Sequence, residues 1–400
     1  MRAARPRFRL VLTLLLLVPP LASAQESTEE IDSLLARGVT LYRSGDLIGA
    51  VDAYEAVLRR DPSRVDARSN LGAALARLGR YEGAVEEYKK ALSAEPGNVP
   101  VRLNLALAYY KAARQAEAAD ELRSVLAAEP ANKNALLLLA DCQLQLGNDA
   151  DVIALLSPHE TAFGDDRLFA YLLGNALIRR NEIQRGQTWI DRLFRDGDTA
   201  EARLLMGAAH LRGADPKKAL VELERALEIN PRLPTVHAVH GQVLLRLGRK
   251  PEAALAFRRE LEQNPNDFDS NLYLGLLKRD ENQVDEAFAY LTRAGRLRPQ
   301  DPRVLYGLGA VHLAADRIAQ AQEALEAVVK AVPDYQQAHV LLATVYYRQK
   351  KTDLAGRERA IIEKLRAERQ AREPGAQEGL GPAYQGDPLP GDPPAGGGQR

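Results

Sequence analysis

The stretch Asn70-Leu71-Gly72-Ala73, followed by Leu78-Gly79-Arg80-Tyr81-Glu82-Gly83-Ala84, then Tyr88, Ala91-Leu92 and Pro96, decides the fold. Its apolar and small residues recur at three- and four-residue steps, the spacing of a helix face. Leu78-Gly79-Arg80 interrupts that pattern as a turn, and Pro96 stops the second half, because proline lacks the amide donor and clashes with the preceding turn. The segment therefore reads as two short helices joined by a tight turn.

The same unit repeats. Prolines stand at Pro62, Pro96 and Pro130, each 34 residues after the last, and resume at Pro231, Pro265, Pro299 and Pro333 with the same step. The gap between Pro130 and Pro231 is 101 residues, one short of three periods, so the phase passes through the middle with a single deletion. A column of small residues keeps this register: Gly38, Gly72, Ala106, Ala140, Gly174, Gly207, Gly241, Gly275, Gly309 and Ala343. A second, mostly small column runs through Ala50, Ala84, Ala118, Val152, Gly186, Ala219, Ala253, Ala287, Ala321 and Ala355. Bulky residues follow it at Tyr54, Tyr88, Leu122, Leu223, Phe257, Leu291 and Leu325. Small residues on facing helices allow close approach, and the bulky residue fills the space towards the next unit.

This spacing resembles the tetratricopeptide repeat, a helix-turn-helix of about 34 residues. The resemblance implies an all-α, right-handed superhelical solenoid of about ten stacked hairpins, running from about Ile31 to about Leu365. Its first helices would line a concave surface that binds protein or peptide ligands. The chain departs from the family in two respects. The tryptophan of the first helix is missing, its column reading Leu34, Arg68, Arg102 and Leu136. Repeats four and five, residues 133–199, lose the terminal proline, and Ser157-Pro158 cuts a second helix short, which marks a place for a bend or an interface. Repeats one to three cover 31–132, repeats six to nine 200–335, and a last repeat with a charged capping helix 336–372. The tail, 373–400, is rich in glycine and proline and reads as disordered.

The N-terminus reads as an export signal: a basic start, MRAARPRFR, an apolar run from Leu10 to Val18, and small residues ending at Ala24, after which cleavage is expected. Residues 1–24 are then a signal peptide, and the protein is periplasmic or secreted. Nine apolar residues are too few to span a bilayer, and nothing later approaches transmembrane length. The formal net charge is +0, and removal of the four leader arginines leaves four more acids than bases, which gives no reason to expect nucleic acid. The single cysteine, Cys142, excludes an intrachain disulfide.

Candidate binding residues come from two columns on the first helices. A basic column holds Arg43, Arg77, Lys111, Arg179, Arg212, Arg246 and Arg348. Two readings stand: a ridge that steers an acidic ligand, or cations placed at helix C-termini for the dipole and free carbonyls. Tyrosines at Tyr42, Tyr110, Tyr171, Tyr273, Tyr306 and Tyr347 are either contact residues or packing at the seam between repeats. Asn70 and Asn104 can bond a bound peptide backbone, but Ser69 and Pro100 stand where the family's carboxylate-binding members carry lysines. His237 and His240 are three residues apart, but no third ligand accompanies them, and His339 shares a repeat position with His237, as structure would produce. No metal or cofactor is expected. No phosphate loop, nucleophile elbow or zinc cluster stands out, so the expectation is a non-enzymatic scaffold for protein–protein interaction, with envelope assembly as its setting. The alternative is a regulatory or substrate-recruiting subunit of an envelope enzyme or secretion complex.

Overall fold

A computed structural model describes residues 21–372 except residue 196, with side chains from Thr28 to residue 371 except residues 196 and 369. The expected tail lies outside the described residues. So does the expected leader, apart from its last four residues, which open the first helix.

Every regular element among the described residues is helical. The chain divides into two compact units, up to Ala108 and from Tyr109 on. In the first, α1 (Leu21–Ser44) pairs with α2 (Leu47–Arg60), and α3 (Val65–Arg77) with α4 (Tyr81–Ala94); α5 (Val99–Lys111) runs through the boundary. The second begins with α6 (Gln115–Ala128). The hairpins α7 (Lys133–Leu146) with α8 (Asp149–Leu156), α10 (Arg167–Arg179) with α11 (Ile183–Phe194), and α12 (Ala200–Arg212) with α13 (Pro216–Ile229) follow. They continue as α14 (Val236–Arg246) with α15 (Lys250–Gln263), α16 (Phe268–Asp280) with α17 (Val284–Leu297), α18 (Pro302–Ala314) with α19 (Ile318–Ala331), and α20 (Gln336–Arg348) with α21 (Thr352–Arg372). After Leu156 the chain makes a single 3-10 turn at Ser157–His159 and a short helix, α9 (Glu160–Phe163), where other hairpins have one uninterrupted second helix.

Three periodic devices recur along the hairpins. The first is its turn. Gly45, Gly79, Gly147 and Gly248 adopt positive φ, and so do Ala113, Asn181, Ala214, Asn282, Asp316 and Lys350 at the corresponding turns of the other repeats. The left-handed conformation is imposed by the turn even where no glycine relieves it. The second is close approach. A Cβ on Gly241 would lie 2.6 Å from Phe257, and one on Gly72 2.8 Å from Tyr88, so the ring occupies the space that glycine leaves. The third replaces the missing tryptophan. At that column Arg68, Arg102, His237, Asn271 and His339 each donate to the carbonyl of the proline six residues earlier, at 2.6–3.0 Å. These side chains satisfy a carbonyl beyond the end of the preceding second helix and tie one hairpin to the next. This is why histidines recur by column.

Within the second unit, the first helices from α10 on pack on their own second helix and on the second helix of the hairpin before; successive first helices also touch, as in α10–α12, α12–α14, α14–α16 and α16–α18. The first helices thus form a continuous inner layer in the second unit. Its apolar core runs between hairpins, with Phe169, Leu173, Leu177, Trp189 and Ile190 near the irregular region and Phe257, Leu272, Leu274 and Leu291 further on.

Candidate protein-binding surface

The candidate residues are placed by the last two turns of the first helices and by the turns that follow them. In the first unit, Arg77 donates to the backbone oxygen of Tyr42 at 3.2 Å and lies 4.8 Å over the Tyr42 ring. Arg43 and Asn104 are exposed and Asn70 is half-buried.

In the second unit, Arg348 repeats the geometry of Arg77: it donates to the Leu313 carbonyl at 3.3 Å and meets Asp316 at 3.2 Å. Both guanidiniums therefore serve carbonyls in the last turn of the preceding first helix, where a cation also meets the negative end of the helix dipole. Gln145, one of the gaps in the basic column, reaches back in the same way and donates to the Tyr110 hydroxyl at 3.0 Å. Arg179 lies 2.8 Å from Asp149. Arg212 and Arg246 are exposed, and Lys111 is exposed with its ammonium 5.8 Å from the Tyr110 ring.

The tyrosines divide by environment. Tyr110 donates to Asp141 at 2.5 Å, and Gln145 donates to the same carboxylate at 3.1 Å. Burial pushes the Asp141 carboxyl up, against the opposing effect of these bonds and of Lys111. Tyr171 meets the Thr235 hydroxyl at 3.3 Å, two hairpins further along. Tyr273 stacks on Phe257 at 5.4 Å, and Tyr306 sits 5.1 Å from Tyr335 and 5.4 Å from Arg279. Tyr347 is 65% exposed, an uncommon degree for so large a side chain.

The second unit also gathers groups that the sequence columns did not single out. Asp149, at the start of α8, is raised by burial and opposed by the charges of Arg179, Arg298 and Arg212. Arg298, just past α17, donates to the Gln145 carbonyl at 2.8 Å and the Leu144 carbonyl at 3.3 Å, and its guanidinium lies 3.9 Å over Phe268. Arg303 makes a two-pronged pair with Asp301 at 3.0 and 2.8 Å. A sequence signal for Arg298 did exist. Its repeat position holds Asp61, Glu95, Glu129, Asn230, Asn264 and Val332 elsewhere, so the cation is an outlier in its column.

The groups assembled here stack, donate and accept hydrogen bonds, which is the chemistry of recognition. No set of three or more metal-ligating side chains gathers among the described residues, and no helix there is long and apolar enough to cross a membrane.

Stacked helical hairpins with a 34-residue repeat and an inner layer of first helices define an α-solenoid. Two profiles of the tetratricopeptide repeat match the chain, one at residues 35–99 and 239–302, the other at 114–175 and 278–345. The chain is a tetratricopeptide-repeat protein. It is 24% identical over 192 residues to protein O-mannosyl-transferase TMTC3 of Homo sapiens, covering 46% of this chain and 20% of that one. It is 24% identical over 185 residues to anaphase-promoting complex subunit 3 of Schizosaccharomyces pombe, covering 46% and 28%. The chain thus spans less than a third of the length of either relative. Among solved structures, the anaphase-promoting complex hetero-tetramer Cut9-Hcn1 is similar in fold, with a TM-score of 0.54 at 15% identity, over 86% of this chain and 78% of that one.

Proposed function

We propose that this protein is an exported, non-enzymatic scaffold that binds a protein or peptide ligand along the inner layer of its first helices. The observation that carries the reading is the side-chain content of that layer. Tyr110, Tyr171, Tyr306 and the exposed Tyr347 alternate there with amides and guanidiniums, a mixture suited to protein contact. The repeats support it as well, since a stack whose core lies between hairpins leaves the faces of its first helices available.

An acidic ligand is favoured by the exposed Arg43 and Arg246 more than by Arg77, Arg179, Arg212 and Arg348, which are engaged by neighbouring groups. The export reading rests on the order of basic, apolar and small residues before Gln25. Recruitment to an envelope enzyme or secretion complex would use the same layer.

The test is affinity capture from the source cells on the immobilised chain from Gln25 onward, with Tyr347→Ala and Arg246→Glu beside it. The expected result is one dominant protein whose retention falls on both variants. Equal retention on all three removes the inner layer as the binding surface. Amino-terminal sequencing of the protein purified from the envelope or medium should begin at Gln25; a retained Met1 in a cytosolic fraction contradicts export.

A further inference from the structure

In a solenoid, side-chain contacts join a hairpin to itself or to near neighbours. Arg298 breaks that rule. Its bonds to the carbonyls of Leu144 and Gln145 cross 154 and 153 residues and link the end of α7 to the turn between α17 and α18. The helices α8 and α9 and four hairpins, α10–α11 to α16–α17, lie between these points in the chain.

The seat for this guanidinium is built from both sides. On the α7 side, the carbonyls of the last turn have no i+4 helical donor; that of Gln145 accepts from Arg298, and that of Leu144 accepts from Arg298 and from the Gly147 amide at 3.1 Å. Gly147 follows, and a Cβ there would stand 3.2–3.4 Å from Nη1, Cζ and Nε of Arg298, closer than nearly all real contacts. On the other side, Phe268 supplies a flat platform at 3.9 Å, a good distance for a guanidinium over a ring. Phe268 is itself 5% exposed and fixed in the core of α16. Asp269 and Asp301 balance the buried positive charge, while Arg179 and Arg303 oppose it. Glu95, Glu129 or Asn264, which hold the equivalent position in other repeats, could not donate this fork to a carbonyl pair while stacking on an aromatic ring.

We propose that Arg298 is an intramolecular latch that closes the second unit on itself. While it is seated, α7 and the α17–α18 turn are clasped, and the first helices α10, α12, α14 and α16 are held as one fixed inner arc. Withdrawing the guanidinium frees the two ends, and the small hinge between successive hairpins lets the arc widen. The closed and open forms would therefore present the inner layer at two different curvatures. This closure stands independently of what that layer binds.

The test uses pulsed electron-spin distance measurement on the full chain, with Cys142→Ala and spin labels on cysteines placed at the exposed positions Ala154 and Arg296. The latched chain should give a single narrow distance distribution. Arg298→Ala and, independently, Phe268→Leu, which removes the stacking platform, should both shift it to longer distances and broaden it, with helical circular dichroism retained. Arg298→Lys, which keeps the charge but loses the planar fork, should fall between. A distribution unchanged in both variants overturns the proposal. So does a broad distribution in the labelled chain before any latch substitution, a result that does not depend on the variants folding.

Discussion

Gly241→Ala probes the close approach that the glycine column permits. The new methyl would lie 2.6, 2.8 and 2.9 Å from Cε1, Cζ and Cδ1 of Phe257, against the 3.5–4.0 Å of a relaxed carbon contact. The ring would have to retreat by about 1 Å to restore such contact. It has nowhere to go, because Phe257 is 0% exposed and stacks on Tyr273 at 5.4 Å. Overpacking of this kind costs about 1–3 kcal/mol, while replacing a helical glycine by alanine returns about 0.5–1 kcal/mol of backbone entropy, so the net loss should be roughly 1–2 kcal/mol. The repeat itself supplies a control. Where alanine holds the glycine column, as at Ala106, the facing residue is the non-aromatic Leu122. Phe257→Leu should therefore rescue Gly241→Ala, and the double variant should be more stable than the sum of the two single losses by about 1 kcal/mol. Guanidinium denaturation followed by circular dichroism measures all four corners of the cycle. A Gly241→Ala protein as stable as the parent, or more so, would show that helix propensity outweighs contact and would refute the close-approach argument.

Three further outcomes follow from the geometry. Ala214 is held at φ 57°, so Ala214→Gly should stabilise by about 0.5–1 kcal/mol in the same denaturation assay, whereas a loss of stability would mean the turn is unstrained. Glu260 is 2% exposed, accepts from the Thr235 amide at 2.9 Å, and is pushed up to about 7 by burial and by the charge of Asp267. Its folded carboxyl therefore binds protons more readily than the unfolded one, so stability should fall as pH rises from about 4.5 to about 7, and Glu260→Gln should flatten that slope; an unchanged slope contradicts it. His339 places Nε2 2.9 Å from the Pro333 carbonyl and Nδ1 2.5 Å from Glu358; His339→Asn keeps a donor for the carbonyl, as Asn271 does for Pro265, and should cost less than His339→Ala, for which about 1–3 kcal/mol is expected. Equal melting temperatures for the two His339 variants would remove that bond from the account.

The fold was legible because each local rule repeats. The proline at the end of a second helix, the small residue at the helix crossing and the bulky residue opposite it all return after 34 residues, and a periodic cause produces a periodic stack. Turns were visible at Gly45 and Gly79, but not at Ala113, Ala214 or Lys350, where the left-handed residue carries a side chain and the glycine signal is gone. The surface was less legible for a physical reason. A column tells which residues share a helix position, and it does not tell which neighbour each one reaches. Arg77 and Arg179 are column mates, yet one bonds the backbone of the preceding first helix and the other pairs with Asp149. Arg298 acts across 153 residues, a range that periodicity cannot encode; only its being the one cation in a column otherwise of acids, amides and Val332 marked it.

The most direct measurement of the central claim is hydrogen exchange, read by mass spectrometry, on the chain alone and with its captured partner. Binding along the inner layer should slow exchange in neighbouring first helices, α10, α12, α14 and α16 among them, and in the turns that follow them. Protection confined to the second helices α11, α13, α15 and α17, with the first helices unchanged, would contradict it.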